Sequence, residues 1–381
     1  MAPIALAFAV LDLTGSKADL GIVLAARQLA VVVLLLFGGV WADRLPRHLV
    51  MVVSNLGSGL SQAIVAVLLL SHHASITSIT ILAAANGASS AFFFPASSGI
   101  IPQTVPSTML QQANATLRLA LNATNISGAA IGGIVVAAAG PGWAIAFDAF
   151  SYGLAALALS RMRVRAPART GATVLSELRV GWHDFWSRPW LWAIVLQFGF
   201  VNAAYAGTFL VLGPVVAKEH LGGAAAWAAV LVSMQVGLIC SGIVLLRWKP
   251  RHLLRTATIA VFGFVLPGLA LARPEALLVV IAACFVTGVC SEIFGVLWDT
   301  TYQQEIPHDK LSRLSAYDAL GSWVLMPIGF AVAGPVAVVV GNRATFLGSA
   351  VLMAAATALT FLSRDVRNLQ RRVVTDSESP A

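Results

Sequence analysis

The sequence predicts an all-α membrane protein built from two six-helix bundles, with its first helix shortened. Three observations predict this: composition, the length of the apolar runs, and the uneven placement of Lys and Arg. Of 381 residues, 58% are apolar and only 10% charged, and mean hydropathy is +0.84. A water-soluble domain carries about a quarter charged residues, so this chain cannot solvate its surface in water. Apolar runs near twenty residues match a hydrocarbon core of ~30 Å at ~1.5 Å rise per residue. The alternation of a membrane barrel is absent.

Eleven spans are read in order, at about 20–42, 49–70, 76–101, 114–139, 142–160, 189–216, 224–246, 254–272, 275–302, 312–340 and 343–363. Before them, Pro3–Leu13 is apolar but reaches only ~17 Å as a helix. It reads as the second half of a first helix, and a late start codon would account for it. A cleaved signal peptide is the alternative, without a basic n-region or a small-residue cleavage site.

Cationic residues fix the orientation. One set of loops holds eighteen: Arg44 and Arg47, the arginines of 161–188, Arg247, Lys249, Arg251 and Arg255, Lys310 and Arg313, and the arginines of 364–372. The opposite loops hold four: Lys17, Lys218, Arg273 and Arg343. The crowded side, with the C-terminus, is expected in the cytoplasm of a bacterial inner membrane. The net charge of +8 is thus a topology signal and no nucleic-acid partner is expected. Trp41, Trp186, Trp190, Trp248 and Trp298 on the inner side, and Trp143 and Trp227 on the outer, read as interfacial anchors. Cys240, Cys284 and Cys290 read as packing residues inside helices. No cofactor is expected, and no phosphate-binding Gly-x4-Gly-Lys-Ser/Thr loop is present.

The expected organisation is a bundle over residues 1–160, a cytoplasmic linker over 161–188, a second bundle over 189–363 and a tail over 364–381. In the linker, Leu175, Leu178, Trp182 and Phe185 share one face of a predicted interfacial helix. The halves echo one another. Leu45-Pro46-Arg47-His48-Leu49 recurs as Lys249-Pro250-Arg251-His252-Leu253, and Pro106-Ser107-Thr108-Met109-Leu110 as Pro307-His308-Asp309-Lys310-Leu311. A parallel duplication of this kind places a substrate site between the halves near the midplane.

Several residues stand out for chemistry. A charge at the bilayer centre costs at least ~2.5 kcal/mol on insertion scales, so each needs a reason. Glu292 lies ten residues from the inner end of its span, ~15 Å deep, with Asp299 on the same face nearer the cytoplasm. Both are candidate proton-coupling acids; a structural interhelical hydrogen bond is the alternative for Glu292. Arg27 and Asp148 fall in the outer third, where they either snorkel or pair as an outer gate. Asp43, between Ala42 and Arg44, is expected to face the N-terminus of the eleventh helix near Arg313. Arg44 and Arg47 are expected to reach Asp318 or lipid phosphates.

The stretch Gly39-x3-Asp43-Arg44-x-Pro46-Arg47 resembles the gate motif of the major facilitator superfamily, with Pro46 where that motif has its second Gly and His48 where it has its last basic residue. Asp12-Leu13-Thr14-Gly15-Ser16, Phe147-Asp148-Ala149-Phe150-Ser151-Tyr152 and Leu297-Trp298-Asp299-Thr300-Thr301-Tyr302-Gln303 resemble the branch holding macrolide-efflux proteins and the enterobactin exporter. The glycines of Ser127-Gly128-Ala129-Ala130-Ile131-Gly132-Gly133 match the antiporter motif of that family, whose kinking proline is missing here. The resemblance implies the major facilitator fold and a cavity lined by helices 1, 4, 7 and 10, where Asn86, Gln197, Asn202 and Tyr205 stand. It implies a non-enzymatic, monomeric secondary transporter exchanging a small amphiphilic substrate for protons across the lipid bilayer. Uptake, or a transport-inactive sensor or scaffold, are the alternatives. A membrane enzyme is disfavoured, since the only adjacent His pair, His72-His73, has no acidic partner.

Overall fold

The structure is a computed structural model describing residues 1–98, 110–162, 182–245, 247–248, 250–274, 276–306 and 308–369. No strand occurs among them. The helices are α1 (Ala2–Thr14), α2 (Lys17–Arg44), α3 (Arg47–Leu70), α4 (Ile76–Ser98), α5 (Leu110–Ala139), α6 (Pro141–Ser160), α7 (Pro189–Leu221), α8 (Ala224–Leu245), α9 (Leu253–Ala272), α10 (Leu277–Glu305), α11 (His308–Trp323 continued by Met326–Val340), α12 (Asn342–Thr360) and a short α13 (Arg364–Asn368). Ten helices among the described residues are long and apolar enough to cross a bilayer. The span expected over 114–139 differs because the first turns of α5 are polar in sequence, leaving Ala123–Ala139 as its apolar part. The expected short element at the start is a helix and is almost wholly buried, from Ile4 to Leu11.

The helix ends follow local chemistry. Pro sits in the first turn of α1, α6 and α7, where its missing N–H would be unpaired in any case. Gly15 ends α1 at φ 66 and its N–H closes on Leu11 O, a left-handed cap that glycine adopts without strain. Inside the membrane a broken backbone bond needs a substitute. Pro267 of α9 cannot donate to Gly263 O; that carbonyl accepts from Leu266 N–H and from Thr287 Oγ1 of α10, the latter at 2.9 Å. α9 changes to a 3-10 turn over Phe262–Val265 at this point.

α1–α6 pack mainly on one another, as do α7–α12. Two seams join these sets: α2 against α11, and α5 against α8. Both depend on missing side chains. A Cβ on Gly334 of α11 would meet the backbone at Ala18, one on Gly21 of α2 would meet Phe330 O, and one on Gly133 of α5 would meet Ala228. Small residues bring membrane helices close enough for van der Waals contact to hold them.

The core is unequally shared. One large cluster, at the end of the molecule where α1 stops and α2 starts, mixes both sets of helices: Phe8, Leu20, Ile79 and Ile145 with Phe209, Trp227, Phe330 and Phe346. Toward the other end the described residues form two separate clusters. Leu191, Leu254, Phe294, Trp298 and Leu314 cluster on one side, and Val50, Met51 and Ala96 on the other. Large apolar side chains such as Val339 and Leu278 stay open on the outer surface, at 83% and 76% exposed. Such a surface faces acyl chains rather than water.

Several tryptophans correct the sequence reading. Trp190, Trp227 and Trp298 are buried, not interfacial. Trp190 meets Trp298 edge-on at 5.7 Å, and Trp227 fills the space left by Gly213. Trp143, Trp186 and Trp248 are exposed, as anchors would be. Of the predicted linker helix, residues up to 181 lie outside the described residues. Trp182 and Phe185 pack on Tyr317 of α11, with ring centroids at 5.8 and 6.0 Å.

Gly87 of α4 lies against Arg27 of α2, where an added Cβ would collide with Arg27 O. Gly87→Ala should lower stability by about 1–3 kcal/mol, the range for overpacked sites. Gly153→Ala, which meets open space, should be neutral or slightly stabilising. Thermal unfolding of the two purified variants in one detergent checks the contrast.

Candidate functional site

Two polar assemblies are buried among the apolar helices. The first lies inside the α1–α6 set. α2 starts at Lys17, earlier than the sequence indicated, so Arg27 is ten residues in and ~15 Å deep, nearer the midplane than the outer third. The close approach at Gly87 turns it onto α4, where its Nε donates to Asn86 Oδ1 at 3.2 Å. Asn86 Nδ2 reaches Ser61 Oγ of α3 at 3.5 Å. Asp148 and Tyr152, one turn apart on α6, face the same cavity of about 270 Å³ as Arg27, Asn86 and Gln62. Asp148 Oδ2 is buried and makes no hydrogen bond. The structure therefore brings Arg27 and Asp148 into one cavity, with Asn86 as the acceptor for the guanidinium. A guanidinium and a carboxylate sharing a low-dielectric cavity stabilise one another's charge.

The second assembly belongs to α7–α12. Glu292 sits in the middle of α10, half-buried, with its Oε1 3.6 Å from the position a Cβ on Gly242 of α8 would take. The missing side chain at Gly242 gives the carboxylate room beside α8. Asp299, on the same helix face, is exposed. Asp318 of α11 accepts from Trp298 Nε1 at 3.2 Å and from Ser322 Oγ at 3.3 Å. Through Trp298 the Asp318 carboxylate ties α11 to α10.

The expected cavity set does not assemble in one chamber. Asn86 belongs to the first assembly. Gln197 is 2% exposed and donates to Thr357 Oγ1 of α12 at 3.1 Å, so it ties α7 to α12. Asn202 donates to Ser322 O of α11 at 3.0 Å, freeing that helix to bend where Trp323 and Met326 meet. Tyr205 stacks on Phe209 at 4.8 Å and donates to Met234 Sδ at 3.3 Å. A long amide in a membrane helix finds the nearest partner, and sequence position alone does not show which face that partner occupies. Phe94 of α4 meets Trp323 of α11 edge-on at 5.8 Å, an aromatic contact between the two helix sets.

Among the expected inner-gate residues, Arg47 opens α3 directly after the Leu45-Pro46 turn. The side chains of Gly39, Asp43, Arg44 and Arg313 lie outside the described residues.

The sequence reading passed over the ties at the opposite end. Lys218 Nζ pairs with Asp12 Oδ1 at 2.5 Å and donates to Leu11 O at 3.0 Å. Lys17 Nζ donates to Asn342 Oδ1 at 2.6 Å and to Ala337 O at 3.1 Å. Each lysine crosses from one helix set to the other and caps carbonyls at a helix end, where the dipole is negative. A signal existed: Lys17 and Lys218 are two of only four cations on their side. Lys218 is carried by a π-helical segment, Ala217–Leu221, and a second one covers Ala206–Leu212. Wide turns of this kind have no reliable sequence signature.

The described residues form a bundle of membrane-length helices in two sets that share one core at one end. Residues 1–324 match the sequence profile of the Major Facilitator Superfamily, and the chain belongs to that family. Among curated relatives, it is 27% identical over 367 residues to the multidrug efflux pump Tap of Mycolicibacterium fortuitum, covering 90% of this chain and 87% of that one. It is 24% identical over 364 residues to the Tap pump of Mycobacterium tuberculosis, covering 91% and 85%. Among solved structures, the nucleoside transporter NupG superposes with a TM-score of 0.69 at 11% identity, over 95% of this chain and 96% of that one. A bacterial homologue of the human lysosomal transporter Spinster, inward-facing and occupied, superposes with a TM-score of 0.66 at 14% identity, over 94% of each. These likenesses bear on the fold. The chain is thus a multi-pass membrane transporter.

Two outcomes are expected. Asn86→Leu leaves the Arg27 guanidinium short of its acceptor and should cost about 1–3 kcal/mol, while Asn86→Asp should cost less; thermal unfolding measures both. In a background without native cysteines, a cysteine at Val211, which is 0% exposed, should label slowly with an impermeant maleimide added from outside whole cells. Lys17→Ala with Lys218→Ala should speed that labelling by releasing both ties.

Proposed function

We propose that this chain is a secondary active exporter of small amphiphilic compounds, working by alternating access and driven by proton entry. The observation that carries the reading is the core shared at one end and divided at the other. Two rigid helix sets hinged in this way rock about a central site. The arginine-rich loops lie at the divided end, so by the positive-inside rule that end and the C-terminus face the cytoplasm of a bacterial inner membrane. The state is then inward-facing, the state in which an exporter loads.

Several features support the finer points. With 58% of residues apolar and 10% charged, a site lined by these helices suits an amphiphile better than a sugar. Glu292 is half-buried at mid-helix beside Gly242, where it can take up a proton in one state and release it in the other; Asp299, exposed and nearer the cytoplasm, is placed to pass protons to and from it. The inner gate would be formed by Gly39, Asp43, Arg44 and Arg47 with Arg313, holding the divided end shut when the closed end opens. Arg27 and Asp148 act as a buried charge pair that stiffens the first helix set rather than as a gate, since the lysine ties occupy the closed end. Each chain contains both helix sets and works as a monomer. The Tap relatives are multidrug efflux pumps, which supports export.

The test is dye and macrolide accumulation in a bacterial strain stripped of its own drug pumps. Energised cells making the protein should accumulate less, and a protonophore should remove the difference. Glu292→Gln, at equal membrane level, should lose uphill export while still allowing the dye to equilibrate. Unchanged uphill export in that variant would remove Glu292 from proton coupling. Greater accumulation in energised cells would replace export with uptake.

A further inference from the structure

Three arginines converge on one groove at the divided end of the second helix set, away from the chamber. Arg255 stands in the first turn of α9, and Arg364 and Arg367 stand one turn apart on α13. Together with Ile259, Phe361 and Asn368 they line a groove of about 710 Å³. The arrangement is built rather than incidental. Val366 is 0% exposed and, with Leu369, packs into the core beside Leu253 and Leu254. That anchor fixes α13 against α9 and holds its two arginines beside Arg255.

Charge is uncompensated there. Among the described residues, the three guanidiniums make no hydrogen bond or ion pair to the protein. Asp365, the acid on the same short helix, lines the neighbouring groove together with Arg364. The positive-inside rule explains arginines on this side of the membrane, but not their convergence on one concavity. Guanidiniums bind phosphate oxygens through paired, charge-assisted hydrogen bonds.

The surroundings are those of a lipid. The floor of the groove is apolar, with Ile259 52% exposed. Arg364 is shared with an apolar groove of about 580 Å³ between α7 and α12, lined by Leu196, Phe200, Leu359 and Leu362, and Leu362 is 76% exposed. A phosphate at the arginines would thus let an acyl chain lie along α12. We propose that this groove is a binding site for an anionic phospholipid, whose phosphate is held by Arg255, Arg364 and Arg367. Basic pockets at the cytoplasmic ends of membrane helices select anionic headgroups. A zwitterionic headgroup would bring its own ammonium into a cluster of three cations, so the site discriminates against phosphatidylcholine.

The experiment uses the full chain purified in detergent, exposed to equal amounts of phosphatidylglycerol and phosphatidylcholine, with retained lipid read by native mass spectrometry. The wild type should retain phosphatidylglycerol in preference. Arg255→Gln/Arg364→Gln/Arg367→Gln should fall to parity between the two lipids, with its lipid-free Tm unchanged because all three side chains lie on the surface. Arg255→Gln alone should weaken the preference. A wild-type preference surviving in the triple variant, or no preference in the wild type, would overturn the proposal. Inorganic phosphate should fail to displace phosphatidylglycerol; displacement would make this a free-anion site and overturn the lipid assignment.

Discussion

At one end of this protein two sets of helices share a single apolar core, and glycine makes that sharing possible. Gly21, Gly133 and Gly334 remove the side chains that would hold α2 off α11 and α5 off α8. In a bilayer no hydrophobic force draws helices together, because lipid tails are as apolar as leucine; contact distance decides association. The rest of the molecule is arranged around this joint. Lys17 and Lys218 add polar ties across it, and the cores diverge beyond it. A joint held by close packing and a few hydrogen bonds can be exchanged for a similar joint at the other end at modest net cost. That balance is what a two-state transporter requires.

Buried polar groups in this chain divide by the work their surroundings allow. Gln197, Asn202 and Asp318 each hydrogen-bond a neighbouring helix, so they help fix the packing of α7–α12 as one body, although Gln197 Oε1 stays without a hydrogen bond. The Arg27–Asn86–Ser61 chain does the same for α2, α3 and α4. Rigid bodies are the complement of a movable joint: displacement at one end reaches the other only if each helix set keeps its shape. Glu292 lies at mid-helix on α10 beside Gly242 of α8, where the missing side chain leaves its carboxylate room.

Much of the fold was legible in the sequence because the bilayer enforces it. A spanning helix must be about twenty apolar residues long, so the limits of α3, α4, α6 and α8 came within a few residues of their observed positions. Side-chain partnership was less legible. Gln197 and Asn202 share a helix with Tyr205, yet each bonds to a different neighbour, because a helix presents new faces every residue and composition does not say which neighbour stands there. The tryptophans show the same limit: Trp143 and Trp298 look alike in sequence, one exposed and the other stacked in the core.

The sequence by itself determined that the chain spans a membrane many times, which side its arginines favour, and its kinship with the transporter family. These follow from solvation: apolar length and charge placement are properties of each segment taken alone. Only the tertiary structure decided that Arg27 meets Asn86, that Asp318 accepts from Trp298 of α10, and that Lys17 and Lys218 join the two helix sets. Those facts depend on which helices touch, at what depth and by which face. Glycines far apart in the chain set all three, so no single segment contains the answer.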